Sequence, residues 1–208
     1  MPVIQPGTEN RHQEFLAVAS KGDVELLFLG DSITDMWRNR GKAVWDQVFA
    51  PLKAANFGIG RDRTQHILWR VQNGELEGFK AKCIVMMLGT NNINVNTPDE
   101  VVAGVKAVVG EIRQRQPQAK ILLLAIFPRG ATPDDRNRAP IKQVNDSLAK
   151  LDDGKSVFYM DIGGKFLQPD GTLTAEIMGD FLHPTEKGYQ IWADAIIEKV
   201  KQLMGPMT

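Results

Sequence analysis

The sequence predicts an α/β protein, a parallel sheet with helices on both faces. Two observations predict it. Apolar runs of strand length alternate with stretches of helical period, the βαβ rhythm of a sheet buried on both sides. Three of those runs lead straight into the polar fragments Gly30-Asp31-Ser32, Asn56-Phe57-Gly58 and Gly89-Thr90-Asn91-Asn92, so parallel strands would deliver those residues to one edge. Five strands are expected, over residues 24–29, 53–57, 83–88, 121–127 and 157–160.

The helices follow in order. Residues 9–20, with His12, Phe15, Leu16 and Ala19, form an amphipathic helix ahead of the first strand. Trp37, Trp45, Trp69 and Trp192 fall in helical stretches at packing positions, with Trp37 near enough to Ser32 in sequence to line a pocket. Thr97-Pro98-Asp99-Glu100 reads as a capping box with proline in the first turn. Behind it Val101, Val105, Val108 and Ile112 recur on one face. Ile141, Val144, Leu148 and Leu151 repeat that pattern before Asp153-Gly154 stops the helix. Residues 163–178 lack a clear period and are expected to bring the last loop back over the sheet edge. A closing helix starts at Pro184 and carries Tyr189, Trp192, Ile196 and Val200 as its apolar stripe.

The length of 208 residues fits one domain, 1–208, with residues 1–22 as an N-terminal extension. Twenty-five basic residues balance twenty-five acidic ones, so no long-range field draws the chain to nucleic acid. No apolar stretch is long enough to span a bilayer, so membrane insertion is not expected. This leaves the compartment open: a cytoplasmic location is the expectation, and a secreted protein whose signal peptide has been removed is the alternative. The one cysteine, Cys83, sits in an apolar run and is expected to be a buried, inert thiol.

The chemistry turns on Ser32, which follows a strand and opens a helix, where a hydroxyl faces a ligand. A serine there also caps helices, and its partners decide between the two roles. Asp180 precedes His183 by three residues, so one turn of chain can set a carboxylate against the imidazole and leave the other ring nitrogen free for Ser32. His12 and His66 fall in helical segments, which leaves His183 as the candidate base. Gly58 and Asn91, at two further strand ends, are candidate donors to an oxyanion together with the Ser32 N–H. Asp31, Ile33, Arg61, Asn92 and Leu182 are candidate substrate contacts. Gly58-Ile59-Gly60-Arg61-Asp62-Arg63 begins like a dinucleotide loop but lacks the third glycine. Asp31, Asp35, Asp180 and His183 have the residue types of a metal cluster, but a solvent-facing carboxylate is the ordinary fate of such residues, and neither metal nor cofactor is expected.

These blocks resemble those of the SGNH, or GDSL, hydrolases, from about Arg11 to the last helix. Asn56-Phe57-Gly58-Ile59-Gly60, Thr64-Gln65-His66-Ile67-Leu68-Trp69-Arg70, Asn73-Gly74-Glu75-Leu76 and Pro128-Arg129-Gly130 are most similar to the catalytic subunits of type I platelet-activating-factor acetylhydrolase and their bacterial relatives. The resemblance implies a flavodoxin-like three-layer α/β/α sandwich and metal-free hydrolysis of short acyl esters through an acyl-serine. Under it Ser32, Asp180 and His183 form the triad, and Ser32, Gly58 and Asn91 form the oxyanion hole. Arg61 departs from that branch, which usually has glycine there. The implied partners are a small-molecule or saccharide ester and a second copy in a homodimer. The rival readings are a longer-chain lipase or thioesterase and a non-catalytic glycan-binding or scaffolding module on the same fold.

Overall fold

A computed structural model describes residues 1–206; the last two residues of the expected domain lie outside it. Five strands, β1 (Leu26–Gly30), β2 (Ala54–Gly58), β3 (Cys83–Met87), β4 (Lys120–Leu124) and β5 (Val157–Met160), form one sheet in the order β2-β1-β3-β4-β5, all parallel. Every residue of β1 and β3 is buried, because both faces of the sheet are covered. Successive side chains point to opposite faces. Leu27 and Leu29 join a core cluster under α1 (Glu9–Ala19), α4 (Thr64–Arg70), α5 (Pro98–Arg115) and α6 (Arg138–Leu148). Leu26 and Phe28 join the other cluster, under α2 (Ser32–Asp35), α3 (Lys42–Val48) and α7 (Glu186–Met204). The result is the expected three-layer α/β/α sandwich.

The helix stripes read from sequence are the buried ones. Val101, Val105, Val108 and Ile112 of α5 and Tyr189, Trp192, Ile196 and Val200 of α7 are all inaccessible to solvent. Each such aliphatic side chain contributes about 1.5–3 kcal/mol by leaving water. The α5 capping box is formed: Thr97 Oγ1 accepts the Glu100 N–H at 3.3 Å, and Glu100 Oε2 accepts the Thr97 N–H at 2.9 Å.

Most element boundaries shift by one to three residues from the expectation, and two of the shifts have a clear local reason. Residues 125–127 stay buried: Ala125 still donates to the Met160 carbonyl at 3.0 Å, and from Ile126 the ladder ends because the Asn145 side chain on α6 takes over both of its backbone groups, at 2.8 and 2.9 Å. The closing helix starts at Glu186, not Pro184. Thr185 caps it by accepting the Gly188 N–H, while Pro184 bridges back to Met178.

Strand order reverses between β1 and β3, and in sheets of this order the crevice beyond those strand ends is where ligands bind. Ser32 follows β1 and Asn91 follows β3, so the fold sets them on either side of that crevice.

Candidate active site

Gly30 ends β1 against Thr34 and the Met87 carbonyl, where a Cβ would lie 2.8 Å from the carbonyl oxygen. This close passage turns the chain sharply into α2. Asp31 caps the new helix by accepting the Ile33 N–H at 3.0 Å, which leaves Ser32 as the first helical residue and half-buried.

The last loop brings the imidazole. Asp180 Oδ1 accepts the backbone N–H groups of Leu182 (3.2 Å) and His183 (2.7 Å), an Asx-type turn that closes only because Phe181 between them adopts φ +58°. Phe181 is held there by its N–H to the Met178 carbonyl and by the Gly130 N–H on its own carbonyl, both 2.9 Å. In this turn Asp180 Oδ2 lies 2.7 Å from His183 Nδ1, and His183 Nε2 lies 2.9 Å from Ser32 Oγ. Nδ1 facing a carboxylate carries the proton, so Nε2 is left as an acceptor for the serine hydroxyl. Burial works to raise the Asp180 pKa, but the hydrogen bonds from the His183 and Leu182 amides and the imidazole outweigh it and hold the carboxyl below its ordinary value.

Asn91, half-buried after β3, donates one amide hydrogen to the Asp62 carbonyl at 2.9 Å. Its second amide hydrogen is uncommitted among the described hydrogen bonds. Gly58 differs from the expectation. Its N–H is already given to Asn56 Oδ1 at 2.9 Å, so in this conformation it is not an open donor. The reason for glycine is packing: a Cβ at position 58 would lie 2.6 Å from Asp35 Cα, inside the backbone of α2. Ile59 to Asp62 closes through the Asp62 N–H to the Ile59 carbonyl at 3.3 Å, with Arg61 at φ +66°. The Arg61 N–H has no partner among the described hydrogen bonds.

Three expected substrate contacts are framework instead. Ile33 is buried in the core. Asn92 is buried, its Oδ1 accepting the Thr64 N–H at 3.1 Å and its Nδ2 donating to Asn96 at 2.9 Å. Asp31, expected to face solvent, is fully buried, and its Oδ2 has no partner. Burial pushes its carboxyl up to about 7, against the Ile33 hydrogen bond. Trp37 is likewise wholly inside and lines no open surface over Ser32. Leu182 is half-buried in the Asp180–His183 turn and Arg61 is exposed in the 59–62 turn, so neither is enclosed by the core. Cys83 is buried, with its thiol pushed up to about 12 by desolvation. Among the described residues, no cluster of three His, Cys, Asp or Glu side chains is arranged for a metal ion.

Sequence reasoning missed a group of buried charges beside the site: Asp62, Arg70 and Glu75, with His12. Their signal was available. Arg70 stands three residues after Ile67 and just before Val71, on the buried face of α4. A charge at a core register position requires a partner. Arg129, half-buried, was also passed over; its guanidinium donates to the Thr90 carbonyl at 3.3 Å, and desolvation lowers its pKa.

A hydroxyl, an imidazole and a carboxylate in one hydrogen-bonded row at the switch point of a parallel sheet form the layout of a hydrolase. Residues 28–191 match the GDSL-like lipase/acylhydrolase family, and the chain belongs to that family. It is 40% identical over 198 residues to platelet-activating factor acetylhydrolase IB subunit alpha2 of Homo sapiens, covering 94% of this chain and 84% of that one. Against the alpha1 subunit of Homo sapiens the identity is 38% over 179 residues, 86% and 76% of the two chains. Among solved structures the fold is shared with a GDSL-like lipase of Bacteroides thetaiotaomicron, with TM-score 0.75, 18% identity and coverage of 94% and 98%. It is also shared with an acetylxylan esterase of Geobacillus stearothermophilus, with TM-score 0.66, 20% identity and coverage of 88% and 94%.

Proposed function

We propose that the protein is a serine esterase that removes acetyl or similarly short acyl groups through an acyl-serine intermediate. The observation that carries this reading is the unbroken row Ser32 Oγ, His183 Nε2, His183 Nδ1, Asp180 Oδ2, with heavy-atom separations of 2.9 and 2.7 Å across the two hydrogen bonds. Family membership and the acetyl-ester names of the relatives support it.

Ser32 Oγ attacks the ester carbonyl as its proton passes to His183 Nε2. Asp180 stays ionised and stabilises the imidazolium. The tetrahedral oxygen is held by the Ser32 N–H, the second amide hydrogen of Asn91 and the Arg61 N–H, which takes the place expected of Gly58. His183 then protonates the leaving alcohol, and in the second half it activates water to release the acid from Ser32. Leu182 and Arg61 face the substrate. An acetylated saccharide or another small acetyl ester is the substrate class, since the relatives include an acetylxylan esterase and acetylhydrolase subunits.

A series of p-nitrophenyl esters of rising chain length, followed by acetylated xylan, tests the reading. Turnover should be highest for acetyl, and Ser32→Ala should abolish it while the melting temperature is kept. A fluorophosphonate should label Ser32 once per chain. Wild-type turnover in Ser32→Ala would remove the nucleophile from the scheme.

A further inference from the structure

The 59–62 turn beside Asn91 is braced by a buried chain of charges that ester hydrolysis does not itself consume. Arg70 Nε and Nη2 both reach Asp62 Oδ2 at 2.9 Å, and Nη2 also donates to the Phe57 carbonyl near the end of β2 at 3.1 Å. The same guanidinium pairs through Nη1 with Glu75 Oε2, and Glu75 Oε1 meets His12 Nδ1 on α1 at 2.8 Å. All four side chains are 5% exposed or less. From outside, the Gln5 side-chain amide donates to the Gly60 carbonyl at 3.0 Å. His66 adds nothing to the clamp: its Nδ1 accepts the Arg63 N–H and lies 3.6 Å from Asp62 Oδ1, which has no hydrogen bond.

Stability alone does not account for such a chain. Buried ion pairs are often no better than apolar residues of the same volume, and Arg70 occupies a position on α4 where leucine or methionine would pack. What the guanidinium supplies is geometry. Its planar fork fixes the Asp62 carboxylate against the last strand residues, and so fixes the turn in between.

We propose that Arg70 is a positioning residue for ester hydrolysis, locking the turn that presents the Arg61 N–H and that orients Asn91 through the Asp62 carbonyl. The inference rests on the esterase reading of the site. Arg70 touches no substrate. It acts by holding two oxyanion donors where charge develops, and donors of this kind raise the rate only when they are placed in advance. Gln5 performs the same task from the surface, so the N-terminal segment is a strut of the oxyanion turn.

The test uses the full chain, an acetyl ester and a boronic acid, whose tetrahedral adduct on Ser32 sets an oxygen where the oxyanion forms. The endpoint of fluorophosphonate labelling gives the number of competent sites, and rates are expressed per labelled site. Arg70→Lys keeps the charge and loses the fork; kcat should fall by about 10-fold to 100-fold while KM stays within about twofold. The boronic acid should bind more weakly by a similar factor. Gln5→Ala removes a single surface contact and leaves the core untouched, so it serves even where Arg70→Lys folds poorly; kcat should fall by about threefold or more, with KM again unmoved. Wild-type protein that turns over no short ester defeats the esterase reading itself. An active wild type, with Gln5→Ala and folded Arg70→Lys both at full kcat per labelled site, overturns the positioning role alone. So does a loss seen only in labelled fraction or melting temperature.

Discussion

Replacing Asp31 with asparagine should stabilise the protein at pH 8, by an amount that vanishes in acid. The Asp31 side chain is fully buried, one oxygen caps α2 through the Ile33 N–H at 3.0 Å, and the other has no partner. Burial first, and the charge of Asp62 after it, push the carboxyl up to about 7, opposed by the Ile33 hydrogen bond and by Arg129. Tyr189 faces the same group, and its hydroxyl is raised chiefly by burial and secondarily by Asp31. From the ordinary 3.8 to about 7 is a difference of about 3, which at 1.36 kcal/mol each is roughly 4 kcal/mol of preference for the protonated form. The native state therefore binds a proton that the unfolded chain has lost between about pH 4 and pH 7, so stability falls as pH rises through that window. Above it the full cost is in place; below it there is none. Asparagine keeps the cap oxygen and never ionises. Asp62, itself pushed up to about 6 by burial, titrates in both proteins, and losing the Asp31 charge removes their mutual repulsion, which acts in the same stabilising direction. Urea unfolding of both proteins at pH 4, 6 and 8 reads the effect. The variant should gain up to about 4 kcal/mol at pH 8, equivalent to roughly 10 °C in melting temperature for a chain of this length, and almost nothing at pH 4. An asparagine variant less stable than wild type at pH 8, or a difference that stays constant across the series, would refute the reasoning.

Two further substitutions separate packing from chemistry around the 59–62 turn. Gly58→Ala drives a methyl into the backbone of α2, 2.6 Å from Asp35 Cα, and should cost about 1–3 kcal/mol by overpacking, read as a fall in melting temperature of several degrees. Stability equal to wild type would show that α2 can move aside. At Arg61, where φ is +66°, glycine should preserve the turn and kcat, whereas valine, which resists that region, should lower kcat at least tenfold. Equal activity in both variants would remove the Arg61 N–H from the oxyanion site.

The fold was legible because both of its periodicities were clean. Strands buried on both faces read as continuous apolar runs, and α5 and α7 each carry one apolar stripe that the sheet covers. Strand ends were harder, since a side chain far along the sequence can decide them, as Asn145 does for Ile126. The hydrogen-bonded row of Ser32, His183 and Asp180 was readable from three residue types at two positions of the chain. The donors proposed for an oxyanion were not all readable, because a backbone N–H carries no residue label. Gly58 looked available as a glycine after a strand, yet its N–H is spent on Asn56 and its missing Cβ makes room for α2. Asp31 misled in the other direction: a charged residue in a loop-like fragment suggested solvent, whereas the cap it provides lies beneath the helix it starts.

Several local rules are broken around the site. Asp31 and Asp62 are buried carboxylates with one unpartnered oxygen each, and Arg61 and Phe181 hold left-handed backbone without being glycine. All four belong to the fragments that carry Ser32, the 59–62 turn and His183. Each feature costs stability locally, and the well-packed clusters on both faces of the sheet offset it. Such costs persist where surrounding structure fixes a geometry that the chain alone would not choose. Here the geometry fixed is the approach of the Ser32 hydroxyl to the His183 imidazole and of that imidazole to Asp180. Substitutions that relieve the strain divide accordingly. Asp31→Asn removes a charge without moving an atom and should stabilise, whereas Arg70→Lys loosens a clamp and should slow turnover even if the fold tolerates it.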